Sequence, residues 1–373
     1  MRDTILFGDC KKTLSEFLPQ SARTCVTSPP YYGLRDYGTA TWVGGDPNCN
    51  HRRDSKVKPE NCNTGHKNHD EMYGVGDAIY KTVCPKCGAI RQDSQIGLEE
   101  TPEEYIESLV SVFRSVRDVL TDDGTLWVNL GDSYYNYRPG KGQSYPKQSV
   151  SKTKQDLPDE CNKRGNKLDG LKEKDLIGIP WMFAFAMRSD GWYLRQDIIW
   201  HKPNPMPESV RDRCTKSHEY IFLFSKNKKY HYNNEAIKEP AKDWGTRDRT
   251  KGKYHNEGTG LQPHSGLTKS YPTKNKRSVW SVTNKPYKDA HFAVYPPDLI
   301  EPCIKAGSEV GDIVLDPFMG SGTTAMVAKA LGRDYIGCEL HEDYGNLIQK
   351  RVQDYVPVKE ATQESCINIL DII

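Results

Sequence analysis

The stretch that most constrains this 373-residue chain is residues 313–339, where a strand, a glycine-rich turn, a helix and a second strand follow one another. Ile313 to Leu315 reads as a buried strand and Thr324 to Leu331 as a helix. Between them lies the turn Asp316, Pro317, Phe318, Met319, Gly320, Ser321, Gly322, Thr323 and Thr324. Tyr335 to Cys338 forms the next strand and ends at Glu339. This order requires a crossover, and crossovers of this kind build a largely parallel sheet with helices on both faces. The glycines let the backbone approach a ligand closely, and the helix start points unpaired N–H groups at it, which suits a carboxylate or a phosphate. Glu339 stands 23 residues after Asp316. An acid at the end of the second strand can accept two hydrogen bonds from ribose hydroxyls, so the pair has the logic of a nucleoside-containing cofactor. The turn is neither the dinucleotide G-x-G-x-x-G nor a Walker loop, because no Lys follows the second glycine; ATP is not the expected ligand. A turn that merely packs would explain the glycines alone, but not Asp316 and Glu339 beside them.

The rest of the chain has the same grammar. Thr4 to Phe7 is a short strand ending at Gly8-Asp9, and Leu14 to Leu18 suggests a short helix. Thr101 and Glu104 form a capping box ahead of a helix whose apolar positions are Ile106, Leu109, Val110, Phe113 and Val116, and Thr125 to Leu130 is a buried strand. A helix over Trp181 to Arg188 leads to strands Gln196 to Trp200 and Tyr220 to Ser225, expected to form a hairpin-like antiparallel edge. The strand Thr24 to Thr27 runs into Ser28, Pro29, Pro30 and Tyr31, where two prolines must stop it. That loop presents a hydroxyl, a carbonyl and an aromatic face. A hydroxyl oxygen and a carbonyl can each accept one proton of an exocyclic amino group while the ring stacks on a planar base. Two prolines after a strand are also a common loop stop.

Charge is informative only when resolved along the chain. The formal net charge is +2, which excludes a histone-like tail and a strongly acidic solvating chain. Residues 226–288 hold 15 basic and 5 acidic residues, a net of +10, leaving −8 elsewhere. A solvated loop explains any single lysine there; the stretch as a whole, with the Lys-rich residues 136–174, is expected to meet nucleic acid. The longest apolar run, Gly178 to Met187, is about half of the roughly 20 residues that cross a bilayer, and the opening residues lack a signal-peptide layout, so a cytoplasmic protein without a membrane partner is expected.

Eleven cysteines, an odd number in a long chain, argue for free thiols and a metal site instead of a disulfide frame. Cys49 and His51 form one half-site, and Cys84-Pro-Lys-Cys87-Gly88 is a knuckle that offers two thiolates to one tetrahedral ion. One structural zinc on Cys49, His51, Cys84 and Cys87 is expected, with Cys62 as the rival to His51, and His66 and His69 as weaker candidates.

These motifs, in this order, resemble those of a DNA amino-methyltransferase that uses S-adenosylmethionine, in the permuted arrangement where the catalytic loop precedes the cofactor loop. Ser28 to Tyr31 is similar to the family's catalytic motif, Asp316 to Thr324 to its cofactor motif, and Gly337-Cys-Glu339 to its ribose-binding acid. Asp9 resembles the acid that contacts the cofactor's adenine, and the segment from His291 and Phe292 to Pro296 resembles the one that closes over its methionine part. Gly131-Asp132, Asp197 to Trp200 and His218-Glu-Tyr220 also fall in family order. The resemblance implies an α/β, Rossmann-like fold with a seven-stranded, mostly parallel sheet and one antiparallel strand, carrying a zinc-binding insertion and a target-recognition region. Residues 1–43, 96–225 and 289–357 would form the catalytic fold, with an exposed loop at 136–174. Residues 44–95 would be the zinc insertion, 226–288 the basic target-recognition region, and 358–373 a tail.

The implied reaction is transfer of a methyl group to the amino nitrogen of a base flipped out of double-stranded DNA. Ser28 and the Pro29 carbonyl would hold the amino group, Tyr31 would stack, and the nitrogen would attack the sulfonium methyl directly. Serine at the first position resembles cytosine-N4 enzymes more than adenine-N6 enzymes, which usually carry Asp there. RNA or protein amide methylation is the runner-up, although those relatives more often carry Asn, and a silent DNA-binding protein is the reading from another class. The sequence leaves room for a homodimer and for a partner restriction endonuclease.

Overall fold

A computed structural model describes residues 1–33, 39–51, 83–135, 168, 170–241, 272–284 and 294–354. The chain opens with β1 (Thr4–Phe7), α1 (Cys10–Thr13) and β2 (Ala22–Thr27), followed by a small antiparallel pair, β3 (Thr41–Val43) and β4 (Ile90–Gln92). Then come α2 (Pro102–Val119), β5 (Leu120–Leu130), α3 (Ile179–Ser189), β6 (Tyr193–His201) and β7 (His218–Ser225). The short strands β8 (Glu239–Pro240), β9 (Thr273–Lys274) and β10 (Val279–Ser281) precede α4 (Pro297–Gly307), β11 (Ile313–Asp316), α5 (Thr323–Ala330), β12 (Asp334–Glu339) and α6 (Tyr344–Asp354).

The main sheet has the order β1-β12-β11-β2-β5-β7-β6-β10, and β7 alone runs against the others. The single antiparallel strand is as expected, but the sheet has eight strands, not seven. The eighth is β10, three residues of the basic stretch laid parallel along β6, where Trp200 Nε1 donates to the Val282 carbonyl at 2.8 Å. The hairpin of β6 and β7 is therefore internal and not the sheet's edge. So short a strand has no periodicity of its own to read.

Along β2, β11, β12 and the later parts of β5 and β7 both faces of the sheet are buried, which is why these runs show no alternation. Cys25, Leu126, Val128, Phe222 and Phe224 face the layer of α1, α2 and α3, with Leu109, Phe113 and Phe183. Their neighbours Val26, Trp127, Ile221 and Leu223 face the opposite layer, with Leu299, Ile300, Met326 and Ile348. The helix α2 begins where the sequence places it. Thr101 Oγ1 accepts from the Glu104 N–H at 3.2 Å and Glu104 Oε2 from the Thr101 N–H at 3.3 Å, a box worth about 1 kcal/mol.

Two helical expectations shift. The first helix starts at Cys10 and not at Leu14, because the Asp9 side chain accepts from the Lys11 N–H at 3.0 Å and caps it; Leu14 to Glu16 is only a 3-10 turn. The helix α6, which sequence periodicity leaves unmarked, packs Ile348 under the glycine-rich turn.

Candidate active site

Because β2 lies between β11 and β5, the C-terminal ends of the catalytic and cofactor strands meet at one edge of the sheet. Asp316 ends β11 and is 1 % exposed. Its Oδ1 accepts from Thr27 Oγ1 at 2.6 Å and from the Phe318 N–H at 3.0 Å, and its Oδ2 accepts from Thr324 Oγ1 at 2.5 Å and Tyr295 OH at 3.2 Å. Residues 289 apart in sequence are thus joined by one hydrogen bond. Burial raises the Asp316 carboxyl above the ordinary aspartate range, and these donors pull it back. The same carboxylate helps keep the Tyr295 hydroxyl protonated, after burial.

Glu339 ends β12, next to β1. Its Oε2 accepts from the Gly320 N–H at 2.7 Å and its Oε1 from the His341 N–H at 2.9 Å, so the acid fastens the glycine-rich turn. Burial pushes its carboxyl up to about 7. Asp9 follows the end of β1, where the Gly8 N–H donates to the Glu339 carbonyl at 2.8 Å. Asp9, Asp316, Glu339 and the turn therefore share the edge at β1, β12 and β11.

The two glycines of the turn have different work. Gly320 (φ +54) faces open space, with the Phe318 carbonyl oxygen at 3.9 Å the nearest atom to a virtual Cβ. Gly322 (φ +81) is covered, since a Cβ there would stand 2.7 Å from Ile348 Cγ2. Only the first leaves room for a ligand to approach. Ser321 Oγ accepts from Arg351 at 2.5 Å, and Pro317, Phe318 and Thr323 complete the turn into α5. His291 and Phe292 lie outside the described residues; Tyr295, from the same motif, is the member seen at the site.

On the other side, Ser28 follows β2. Its hydroxyl lies 3.4 Å from Asn129 Oδ1, and Tyr31 OH donates to Glu219 Oε2 at 2.8 Å, with Asn129 Oδ1 at 3.1 Å sharing the same hydrogen. Asn129 Nδ2 donates to the Tyr220 carbonyl at 3.1 Å, and Lys202 Nζ pairs with Glu219. Burial, then the Glu219 charge, holds the Tyr31 phenol well above its usual value, so it stays a donor. The Pro30 carbonyl accepts from Tyr105 OH at 2.8 Å, which anchors the loop to α2 while leaving Pro29 one residue ahead of the tether. The ring of Tyr31 sits against Gly131, where a Cβ would come within 2.5 Å of Cε2.

This arrangement presents a hydroxyl and a carbonyl at the same sheet edge as Asp316 and Glu339, two carboxylates that meet hydroxyls and backbone N–H groups and no cation among the described residues. Together these groups suit a group transfer between a positively charged cofactor and a planar neutral acceptor. A matching family model, described as DNA methylase, spans residues 22–350. The chain belongs to this DNA methylase family. The Type II methyltransferase M.XycI of Xanthomonas campestris pv. cyanopsidis is 38% identical over 354 residues, covering 95% of this chain and 89% of that protein. M.SmaI of Serratia marcescens is 39% identical over 353 residues, covering 93% and 90%. Among solved structures, PvuII DNA methyltransferase (cytosine-N4-specific) shares the fold, with a TM-score of 0.53 at 16% identity over 97% of this chain and 89% of that one. The methylase is therefore an S-adenosylmethionine-dependent DNA amino-methyltransferase.

Several partners of the methylase's predicted residues are not themselves among the predicted site residues: Thr27, Asn129, Lys202, Glu219 and Tyr295. Asn129 carries a signal, as the one amide in an otherwise apolar buried strand. Asp132, which falls in family order, has a scaffolding part. Its Oδ1 accepts from the N–H groups of Ser133, Gly178 and Ile179 at 3.0, 3.0 and 3.1 Å, capping α3.

The insertion brings its four expected ligands together. Single ligand atoms of Cys49, His51, Cys84 and Cys87 all lie within 4.8 Å of one another. The Cys49 and Cys84 sulfurs are 3.8 Å apart, and Cys87 Sγ is 3.5 Å from His51 Nδ1. A tetrahedral zinc with Zn–S of about 2.3 Å places its sulfurs about 3.8 Å apart, so the donor set fits the ion. Gly45 makes the close approach possible, since a Cβ there would stand 2.8 Å from Cys87 Sγ, and Trp42 of β3 stacks on the His51 ring at 4.3 Å. Cys62, His66 and His69 lie outside the described residues.

The basic stretch is described only at 226–241 and 272–284; residues 242–271 and 285–288 of it lie outside the described residues. Several cations at those ends are internally committed: Lys226 donates to the Leu120 carbonyl at 3.0 Å, and Lys274, Lys276 and Arg277 surround Glu239. No helix among the described residues is long and apolar enough to cross a membrane.

Proposed function

We propose that the methylase acts on the N4 amino group of a cytosine flipped out of double-stranded DNA. The observation that carries this reading is that Ser28, not an aspartate, stands at the first position of the catalytic loop, beside Asn129. The Ser28 hydroxyl oxygen, 3.4 Å from Asn129 Oδ1, keeps acceptor capacity for an amino proton. The Pro29 carbonyl accepts the second proton, and Tyr31, held by Glu219 and Asn129, supplies the stacking surface. Both acceptors draw the nitrogen lone pair out of ring conjugation and toward the sulfonium methyl. Bound S-adenosylmethionine supplies that electrophilic methyl. Asp9, the Gly320 side of the turn and Glu339 hold the nucleoside portion, and the Asp316 and Glu339 charges favour the cationic centre. Asp316 does so through Thr27, Thr324 and Tyr295, its oxygens already being taken. His291 and Phe292 belong to the segment expected to close over the methionine part.

Cys49, His51, Cys84 and Cys87 would hold one structural zinc, which folds the insertion without entering the reaction. The residues 226–288 would grip the duplex and read the site. The Type II designation of the relatives supports a restriction-modification setting with a partner endonuclease, and a homodimer is compatible with it. The decisive test is mass spectrometry of nucleosides from DNA methylated by the protein. N4-methylcytosine is expected; N6-methyladenine alone would overturn the base assignment. Sequencing that maps modified positions then returns the recognised site.

A further inference from the structure

The loop joining β6 to β7, residues 202–217, leaves the sheet at the reactive edge. The strand β6 runs parallel to β2 and β5, and β7 runs against them, so the loop emerges where Ser28, Asp316 and Glu339 stand. It is rooted in the catalytic network, because Lys202 pairs with Glu219, which accepts from Tyr31. Prolines 203, 205 and 207 alternate along its rising limb and restrict the backbone. Asn204 fastens that limb to β10's trailing end, donating to the Asn284 carbonyl at 3.3 Å and accepting from the Asn284 N–H at 3.1 Å. The returning limb is held as well. Glu208 accepts from Arg213 at 2.6 Å, the Arg213 guanidinium lies 3.9 Å from the centre of the Tyr134 ring, and Lys216 Nζ donates to the Asp132 carbonyl at 3.1 Å.

On this braced loop, between two prolines, Met206 is 81 % exposed. The next most exposed large apolar side chain among the described residues is Val310 at 74 %, but it precedes β11 and so lies at the opposite edge of the sheet. Four residues of extended chain separate Met206 from Lys202, a reach of at most about 14 Å. An apolar side chain on a stiff stem beside the pocket for an extracted base has one partner of matching chemistry, the faces of stacked bases. Methionine, unbranched and polarizable, suits the gap that a departing base leaves. Arg211, exposed on the loop, suits a flanking phosphate, while Lys202, Arg213 and Lys216 are taken up in bracing the loop.

We propose that Met206 is the wedge that enters the duplex and fills the place of the target base, holding that base out while Ser28 engages it. This rests on the base-extraction reading above. The test uses a duplex carrying the mapped site with a fluorescent analogue of the target base, and a second duplex with an abasic position opposite the target. The wild-type enzyme should raise the fluorescence on binding. The Met206→Ala variant should lose that rise and methylate the paired duplex roughly tenfold more slowly or worse, while S-adenosylmethionine binding stays the same. On the abasic duplex, where no pair has to be broken, its deficit should largely vanish, and Met206→Leu should behave as wild type on both. A Met206→Ala enzyme that matches wild type on the paired duplex, or is equally slow on both duplexes, overturns the proposal. A wild-type enzyme that methylates the natural duplex and binds the analogue duplex with no fluorescence rise overturns base extraction itself.

Discussion

In the cofactor half of the reactive edge, two buried carboxylates, Asp316 and Glu339, are met by hydroxyls and backbone N–H groups and by no cation among the described residues. In the base half, Glu219 is paired with Lys202 and bonded to Tyr31. The two halves are built from similar residues and differ in electrical closure. The first keeps net negative charge in a poorly hydrated place, a cost that a cationic cofactor relieves. The second has its charge cancelled internally and serves as a rigid frame for a neutral base.

The comparison can be broken by experiment. The largest effect expected is from Ser28→Ala, which removes an acceptor used as the nitrogen reacts. The turnover rate should fall about 10²–10³-fold with cofactor affinity unchanged, as read by radiolabel transfer and calorimetry. Glu339→Ala should do the reverse, weakening S-adenosylmethionine by roughly 100-fold through lost charge-assisted hydrogen bonds. Glu219→Gln should leave that affinity alone and lower turnover. Equal losses of cofactor affinity in the two Glu variants would erase the distinction between the halves.

The metal site sharpens it further. The insertion is rooted beside the base half, where just before and after it the Gly33 N–H donates to the Gly97 carbonyl at 2.8 Å and Tyr32 OH to the Glu100 carbonyl at 3.1 Å. Cys84→Ser should therefore lose zinc by metal analysis and lower methyl transfer about tenfold, in the range of damage to a metal's supporting residues, while cofactor binding changes little. Full zinc retention would sink the ligand assignment.

The smallest effect is the pH response. Glu339, raised to about 7 in the folded chain from its ordinary 4.5, binds its proton more tightly folded than unfolded, so it withdraws stability as pH rises between those values. Ribose hydroxyls and the sulfonium charge favour the ionised form, so cofactor binding should release a proton. Affinity should fall by at most about tenfold per pH unit below about 7 and level off above it. Titration calorimetry in buffers of different ionisation heat measures this, and Glu339→Gln should flatten the curve.

What was legible in the sequence was local. The turn at 316–324, the loop at 28–31, the capping box and all four proposed zinc ligands are short runs whose residue types state their chemistry. What was not legible depends on strand order. Thr27 meets Asp316, and Asn129 meets Ser28 and Glu219, only because β2 lies between β11 and β5 with β7 beside β5. No spacing along the chain encodes those contacts. The added strand β10 escaped for another reason, since three residues cannot show a period.

The hydrogen bond between Gly33 and Gly97 brings together the two ends of the chain segment that carries the insertion. Its closure cost grows only slowly with the number of residues looped out, by about 0.6 kcal/mol per doubling. Insertions of very different length can therefore hang from the same doorway without disturbing the sheet behind it. That doorway also adjoins the catalytic loop, so a change in what hangs there is felt first by the group that holds the base.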